Sequence, residues 1–135
     1  MTTTIIKPLH ERRILIVEDE SDTAQRIALI LGRRGGAQTS CAASVRVAQE
    51  LLKEGPIPDV IILDHNLGDD IGTTIACGMR TQSGATSPKI VSFSAQPREV
   101  ILSTCPDPSI FDLILTKGET SLDELVRQLG LLFGK

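Results

Sequence analysis

Five side chains in this 135-residue chain follow short apolar runs and carry groups suited to one kind of chemistry. Glu18 and Asp19 come after Ile14-Leu15-Ile16-Val17, and Asp64 comes after Val60-Ile61-Ile62-Leu63. Ser94 ends the run at 89–93, and Lys117 stands two residues beyond Leu115. If these runs are neighbouring strands, three carboxylates, a hydroxyl and an amine meet at one edge of a sheet. Crowded carboxylates repel one another, so a cation should hold them. Hard oxygen ligands in a partly open site suit Mg²⁺, which keeps several waters and takes few protein ligands. Lys117 adds positive charge and Ser94 a hydrogen-bond donor. Together they could bind a phosphoryl group and stabilise its transfer to a carboxylate.

The positioning elements are legible from periodicity. Arg13-Ile14-Leu15-Ile16-Val17 reads as a buried strand. Ser21 or Asp22 can cap the next segment, where Ala24, Ile27, Ala28 and Leu31 recur at helical spacing until Gly35-Gly36 stops it. Residues 37–42 form a weaker strand. Ser44 opens a helix carrying Val45, Ala48, Leu51 and Leu52 and closed by Gly55-Pro56. The apolar run at 60–63 is the clearest strand. A short helix spans 73–79, with Gly78 costing it about 1 kcal/mol relative to Ala. Further strands cover 89–93 and 111–115. Between them Pro97 suits the first turn of a helix, and Pro106-Asp107-Pro108 forces its early end. Ser121 and Glu124 make a capping box before the stripe of Leu122, Leu125, Val126, Leu129 and Leu132. Five strand–helix alternations imply a parallel sheet covered on both faces, a doubly wound α/β sandwich with its functional crevice at the carboxyl ends of the strands. Residues 1–11 read as a tail and 12–135 as one domain.

Composition excludes several alternatives. Hydrophobic residues make up 41% and charged residues 23%, enough for a globular core. Three Phe with no Trp or Tyr leave that core aliphatic and argue against base-stacking platforms for nucleic acid. A net charge of −3 gives no electrostatic reason for direct nucleic-acid or anionic-membrane binding. No apolar run approaches the roughly 20 residues of a membrane span, and residues 1–13 lack a secretory signal. Cys41, Cys77 and Cys105 are scattered and odd in number, as expected for reduced thiols in a cytoplasmic protein.

The run Ile14 to Glu20, then Val60 to Asp64, then Ser94-Ala95, then Leu115-Thr116-Lys117 resembles the receiver domain of two-component response regulators over about residues 12–135. The resemblance implies a flavodoxin-like (βα)₅ fold with strand order 2-1-3-4-5. It makes Asp64 the phosphoacceptor. Asp19 and Asp64 would bind Mg²⁺ directly, Glu18 through a coordinated water, and Asn66 through its backbone carbonyl. Ser94 matches the hydroxyl that follows the phosphoryl group, and Lys117 the lysine that pairs with it. A histidine kinase or histidine phosphotransfer protein would donate the phosphoryl group, and an unidentified downstream protein would read it. On this reading the chain is a stand-alone signalling module rather than an enzyme.

Three positions depart from the family pattern. Gly118 replaces the usual Pro after the lysine, Gly68 the usual Pro in the loop after the acceptor, and Ile114 the usual aromatic on strand five. A trans bond is expected at Lys117-Gly118, with Gly118 free to take an unusual dihedral. A β-branched Ile114 cannot sweep the volume of an aromatic ring, so output is expected to run through residues 96–108 or the helix-one face. His65 is expected to pack in its loop, and Asp69 and Asp70 to be solvated turn residues. Two other functions compete: a small-molecule phosphatase or phosphotransferase with an aspartyl nucleophile, and a receiver-fold adaptor that is never phosphorylated. Asn66 weighs against the first, because it cannot serve as the acid/base expected two residues after such a nucleophile.

Overall fold

A computed structural model of the chain, describing residues 6–81, 87–105 and 107–134, places the apolar runs side by side. The strands β1 (Arg13–Val17), β2 (Gln38–Ala42), β3 (Val60–Leu63), β4 (Lys89–Ser94) and β5 (Leu113–Thr116) form one parallel sheet in the order β2-β1-β3-β4-β5. The helices are α1 (Ser21–Ile30), α2 (Val45–Glu54), α3 (Gly72–Thr81), α4 (Arg98–Ser103) and α5 (Leu122–Leu131).

Alternation along the strands divides the core in two. Ile14, Ile16, Val60, Ile62, Val91 and Phe93 pack with Ile27 of α1, Leu31 just beyond it, and Leu125 and Leu129 of α5. Leu15, Val17, Ile61, Leu63 and Ile90 pack with Ala48 of α2, Ile75 and Met79 of α3, and Ile101 of α4. Strands buried on both faces explain why their sequences are continuously apolar.

Several boundaries differ from those read in the sequence. The residue preceding α1 is Glu20, so neither Ser21 nor Asp22 caps it, and Glu20 makes no side-chain cap bond. The helix then widens into a π turn, Leu31–Gly35, before left-handed Gly36 ends it. Helix α3 extends to Thr81; a Cβ at Gly78 would have open space around it. Strand β5 begins at Leu113, because the 3₁₀ turn Pro108–Ile110 delivers Phe111 into the core first. At α5 only half of the capping box forms. Ser121 Oγ accepts from the Glu124 N–H at 3.0 Å, while the Glu124 carboxylate turns to Arg127 and Gln128 and its pKa falls to about 2. Pro97 stands just before α4 rather than within its first turn. Pro106, residues 1–5 and Lys135 lie outside the described residues.

The segment before β1 is not a loose tail throughout. Leu9 is completely buried among Ile14, Ile27 and Leu31. Its N–H donates to the Gly35 carbonyl at 2.8 Å, and Glu11 N–H donates to Gly36 at 3.2 Å. Lys7 Nζ donates to the Arg33 carbonyl at 2.5 Å, and the Arg12 guanidinium lies 3.9 Å from the centre of the Phe133 ring. A short strap therefore closes the bottom of the α1–α5 layer. A single Leu in a polar, Pro-containing stretch has no periodicity to reveal it, so sequence reading puts the domain edge after it. Leu9→Ala should lower the unfolding free energy by about 2–5 kcal/mol in urea titration. Truncating the exposed Ile6 should change it by about 0.5 kcal/mol or less.

Candidate functional site

The register of the central strands builds the site. Val17 pairs with Leu63, so Glu18 and Asp64 leave the sheet abreast, with the Asp64 N–H donating to the Val17 carbonyl at 2.9 Å. Strand order reverses direction around β1 and β3, where an open α/β sheet leaves a crevice. One carboxylate oxygen from each of Glu18, Asp19 and Asp64 lies within 4.8 Å of the other two. From the end of β5, Lys117 Nζ reaches Glu18 Oε1 at 2.5 Å and Asp64 Oδ1 at 3.7 Å. Its backbone is fixed by an N–H bond to the Ser94 carbonyl at 2.8 Å. The Glu18 side chain is 4% exposed, that of Asp64 15%, and Asp19 is open to solvent. Burial makes an unpaired Glu18 carboxylate costly, and the lysine relieves this. Three carboxylates against one amine still leave two net negative charges on hard oxygen donors. That donor set fits a divalent cation of the Mg²⁺ class.

Asn66 and Ser94 are placed differently. Asn66 faces Ile71 across a narrow antiparallel bridge, flanked by bonds from Leu67 N–H to Asp70 and from Gly72 N–H to His65. In such a pair the central carbonyl points away from its partner, which leaves the Asn66 carbonyl outside the ladder. Ser94 is 1% exposed at the end of β4, and its Oγ accepts from the Gln96 N–H at 2.9 Å. The structure thus joins Glu18, Asp19, Asp64 and Lys117, and sets the Ser94 hydroxyl toward its own loop.

Residues 14–129 match the model of the response regulator receiver domain. The chain belongs to that family. Among solved structures, the receiver is similar to a sensor protein from Polaromonas sp. JS666 (30% identity, TM-score 0.76, covering 90% of this chain and 94% of that one). It is also similar to the Francisella response regulator 1452 receiver domain (26% identity, TM-score 0.76, covering 91% and 97%). A CheY-like receiver domain protein from Methanospirillum hungatei JF-1 shares the fold at 18% identity, with a TM-score of 0.74 and coverage of 90% and 93%. No curated protein sequence matches the chain. Among the described residues, no helix is long and apolar enough to cross a membrane.

The loop of this receiver after Asp64 explains one departure from the family pattern. Gly68 has φ of +84°, a conformation closed to proline, whose ring holds φ near −65°. Four residues on, a Cβ at Gly72 would lie 2.2 Å from the Asp64 carbonyl oxygen, so only glycine lets the start of α3 pack against the backbone of Asp64. Sequence reading missed Gly72, since a lone glycine before a helix signals a turn rather than a close approach. Asp69 is the solvated turn residue expected, and it has a second role. Its two carboxylate oxygens each accept at 3.0 Å, from the Val45 and Arg46 N–H groups, so it joins Ser44 in capping α2. His65 is buried, which lowers its pKa, and its N–H donates to Asp64 Oδ1 at 2.8 Å. No described peptide bond is cis, and Gly118 does not take a left-handed φ although it is free of Cβ contacts. Lys117 therefore reaches the carboxylates without the unusual glycine dihedral anticipated for it.

Gly72→Ala should cost about 1–3 kcal/mol in chemical denaturation, because the overpacked contact is with backbone and cannot be relieved by a rotamer change. Asp69→Ala should speed amide exchange at Val45 and Arg46. The bonds from these amides lower the Asp69 pKa from its ordinary 3.8. Its contribution is therefore complete above 3.8 and is lost as pH falls through the lower folded value. The difference in exchange between the two proteins should disappear on that acidification.

Proposed function

We propose that this receiver accepts a phosphoryl group on Asp64 and passes the signal through protein contacts. The observation that carries this reading is the amine of Lys117, placed between a buried Glu18 and a more accessible Asp64. Family members interact with histidine kinases and downstream effectors, and a phosphohistidine of a kinase or phosphotransfer protein is the proposed donor. An Asp64 carboxylate oxygen attacks phosphorus, an O–P bond forms, the donor P–N bond breaks, and the imidazole departs. Lys117, 3.7 Å from Asp64 Oδ1, is near enough to meet the developing charge on the phosphoryl oxygens. Glu18, Asp19, Asp64 and the Asn66 carbonyl are the residues that would hold Mg²⁺, which when bound offsets the negative charge of carboxylates and phosphoryl group. Glu18 holds Lys117 in reach by the shorter contact.

Ser94 links the event to α4. Its hydroxyl accepts the Gln96 N–H in the loop before that helix. Turning the hydroxyl toward a phosphoryl group would remove that partner and loosen the entry to α4. Ile114 lies half-buried against the α2–α4 core, so the change is carried by this loop rather than by a swinging aromatic ring. The chain acts in the cytoplasm as a signalling module, not as a metabolic enzyme.

Incubation with acetyl phosphate and Mg²⁺ should add one phosphoryl group by mass spectrometry, lost with Asp64→Asn and with EDTA. Lys117→Ala should slow labelling by about 10²-fold. Labelling unchanged in Asp64→Asn would place the acceptor elsewhere and overturn the reading.

A further inference from the structure

One face of α3 runs alongside the chain that leaves α4. Thr73 Oγ1 lies 2.7 Å from Thr104 Oγ1, immediately after α4. Seven residues further along α3, Arg80 Nε donates to the Ile110 carbonyl at 3.0 Å. Thr104 and Ile110, the two ends of this segment, are therefore each pinned beside α3. Positions 73, 77 and 80 share a helical face, so Cys77 falls between the two pins. Cys105 directly follows Thr104 and opens the pinned segment, on irregular backbone. Both cysteines are free, half-buried and packed against the same apolar cluster, which includes Ile75 and Ile101. Cys105 Sγ donates to the Asp107 carbonyl at 3.1 Å. Burial raises the Cys105 pKa, opposed by the hydrogen bond to Asp107 and aided by the neighbouring Cys77 thiol.

We propose that Cys77 and Cys105 form a redox-modification site whose thiols close into a disulfide between α3 and the exit of α4 under sustained exposure to a peroxide. One thiol attacks the peroxide: the O–O bond breaks, an S–O bond forms, and water and a sulfenic acid result. The second thiol then attacks that sulfur, forming the S–S bond and expelling a second water. The two thiols together lose two electrons and the peroxide gains them. Burial disfavours the Cys105 thiolate, so the link answers prolonged rather than momentary oxidation. It would tie the exit of α4 to α3, beside the loop through which Ser94 is coupled. Cys41, exposed on β2, serves as an internal control.

The test treats the full chain with hydrogen peroxide, blocks residual thiols and maps tryptic fragments without reductant. The expected product is one intramolecular link between the Cys77 and Cys105 fragments. It should be reversed by dithiothreitol and absent in Cys77→Ser and Cys105→Ser. A trivalent arsenical, which bridges paired thiols, should bind the untreated chain one to one and weaken by about 10²-fold in either variant. Oxyacids at either thiol without a link would overturn the proposal, as would a link that forms only after denaturation. Neither readout involves Asp64, so this outcome is separate from that of the phosphorylation test.

Discussion

The excess of negative charge at the carboxyl edge of β1 and β3 is the constraint on which the rest of the structure depends. Glu18 is nearly sealed from water, and a carboxylate in that position needs a partner. Lys117 is that partner, ninety-nine residues away in sequence. To deliver it, β5 must lie in the sheet beyond β4, with its backbone tied to the Ser94 carbonyl. The strand order, the parallel register and the helices that cover both faces are what allow residues from the first and last strands to meet.

The same ion pair sets the chemistry. It leaves Asp64 the less buried of the two carboxylates that Lys117 touches, and Asp19 outermost. A buried, a half-buried and an exposed carboxylate form a graded set, a donor arrangement that fits a divalent cation. The close approach of Gly72 fixes the Asp64 backbone against α3, and Asp69 ties the same loop to α2. The Asp64 backbone is thus held by β1 and by the start of α3.

Much of this was readable in the chain. Long-range order follows from alternation and run length, so the five strands, the sandwich class and the strand-end carboxylates were legible. The resemblance to receivers supplied the strand order. What escaped depends on single contacts that no periodicity marks. Leu9 is buried because the π turn after α1 and left-handed Gly36 receive the strap, and both are properties of backbone geometry. Asp69 caps a helix twenty-four positions earlier in sequence, so a local reading sees only a polar turn.

Binding of Mg²⁺ to the chain and to Lys117→Met, followed by amide chemical shifts at Asp19 and Asp64, tests most directly whether one amine balances this carboxylate cluster. Removing the positive charge should tighten Mg²⁺ binding by about tenfold or more, since the ion no longer competes with an ammonium a few ångströms away. The variant should also become the more dependent on Mg²⁺ for thermal stability. Equal Mg²⁺ affinity in the two proteins, with equal stability in the absence of the ion, would contradict the account.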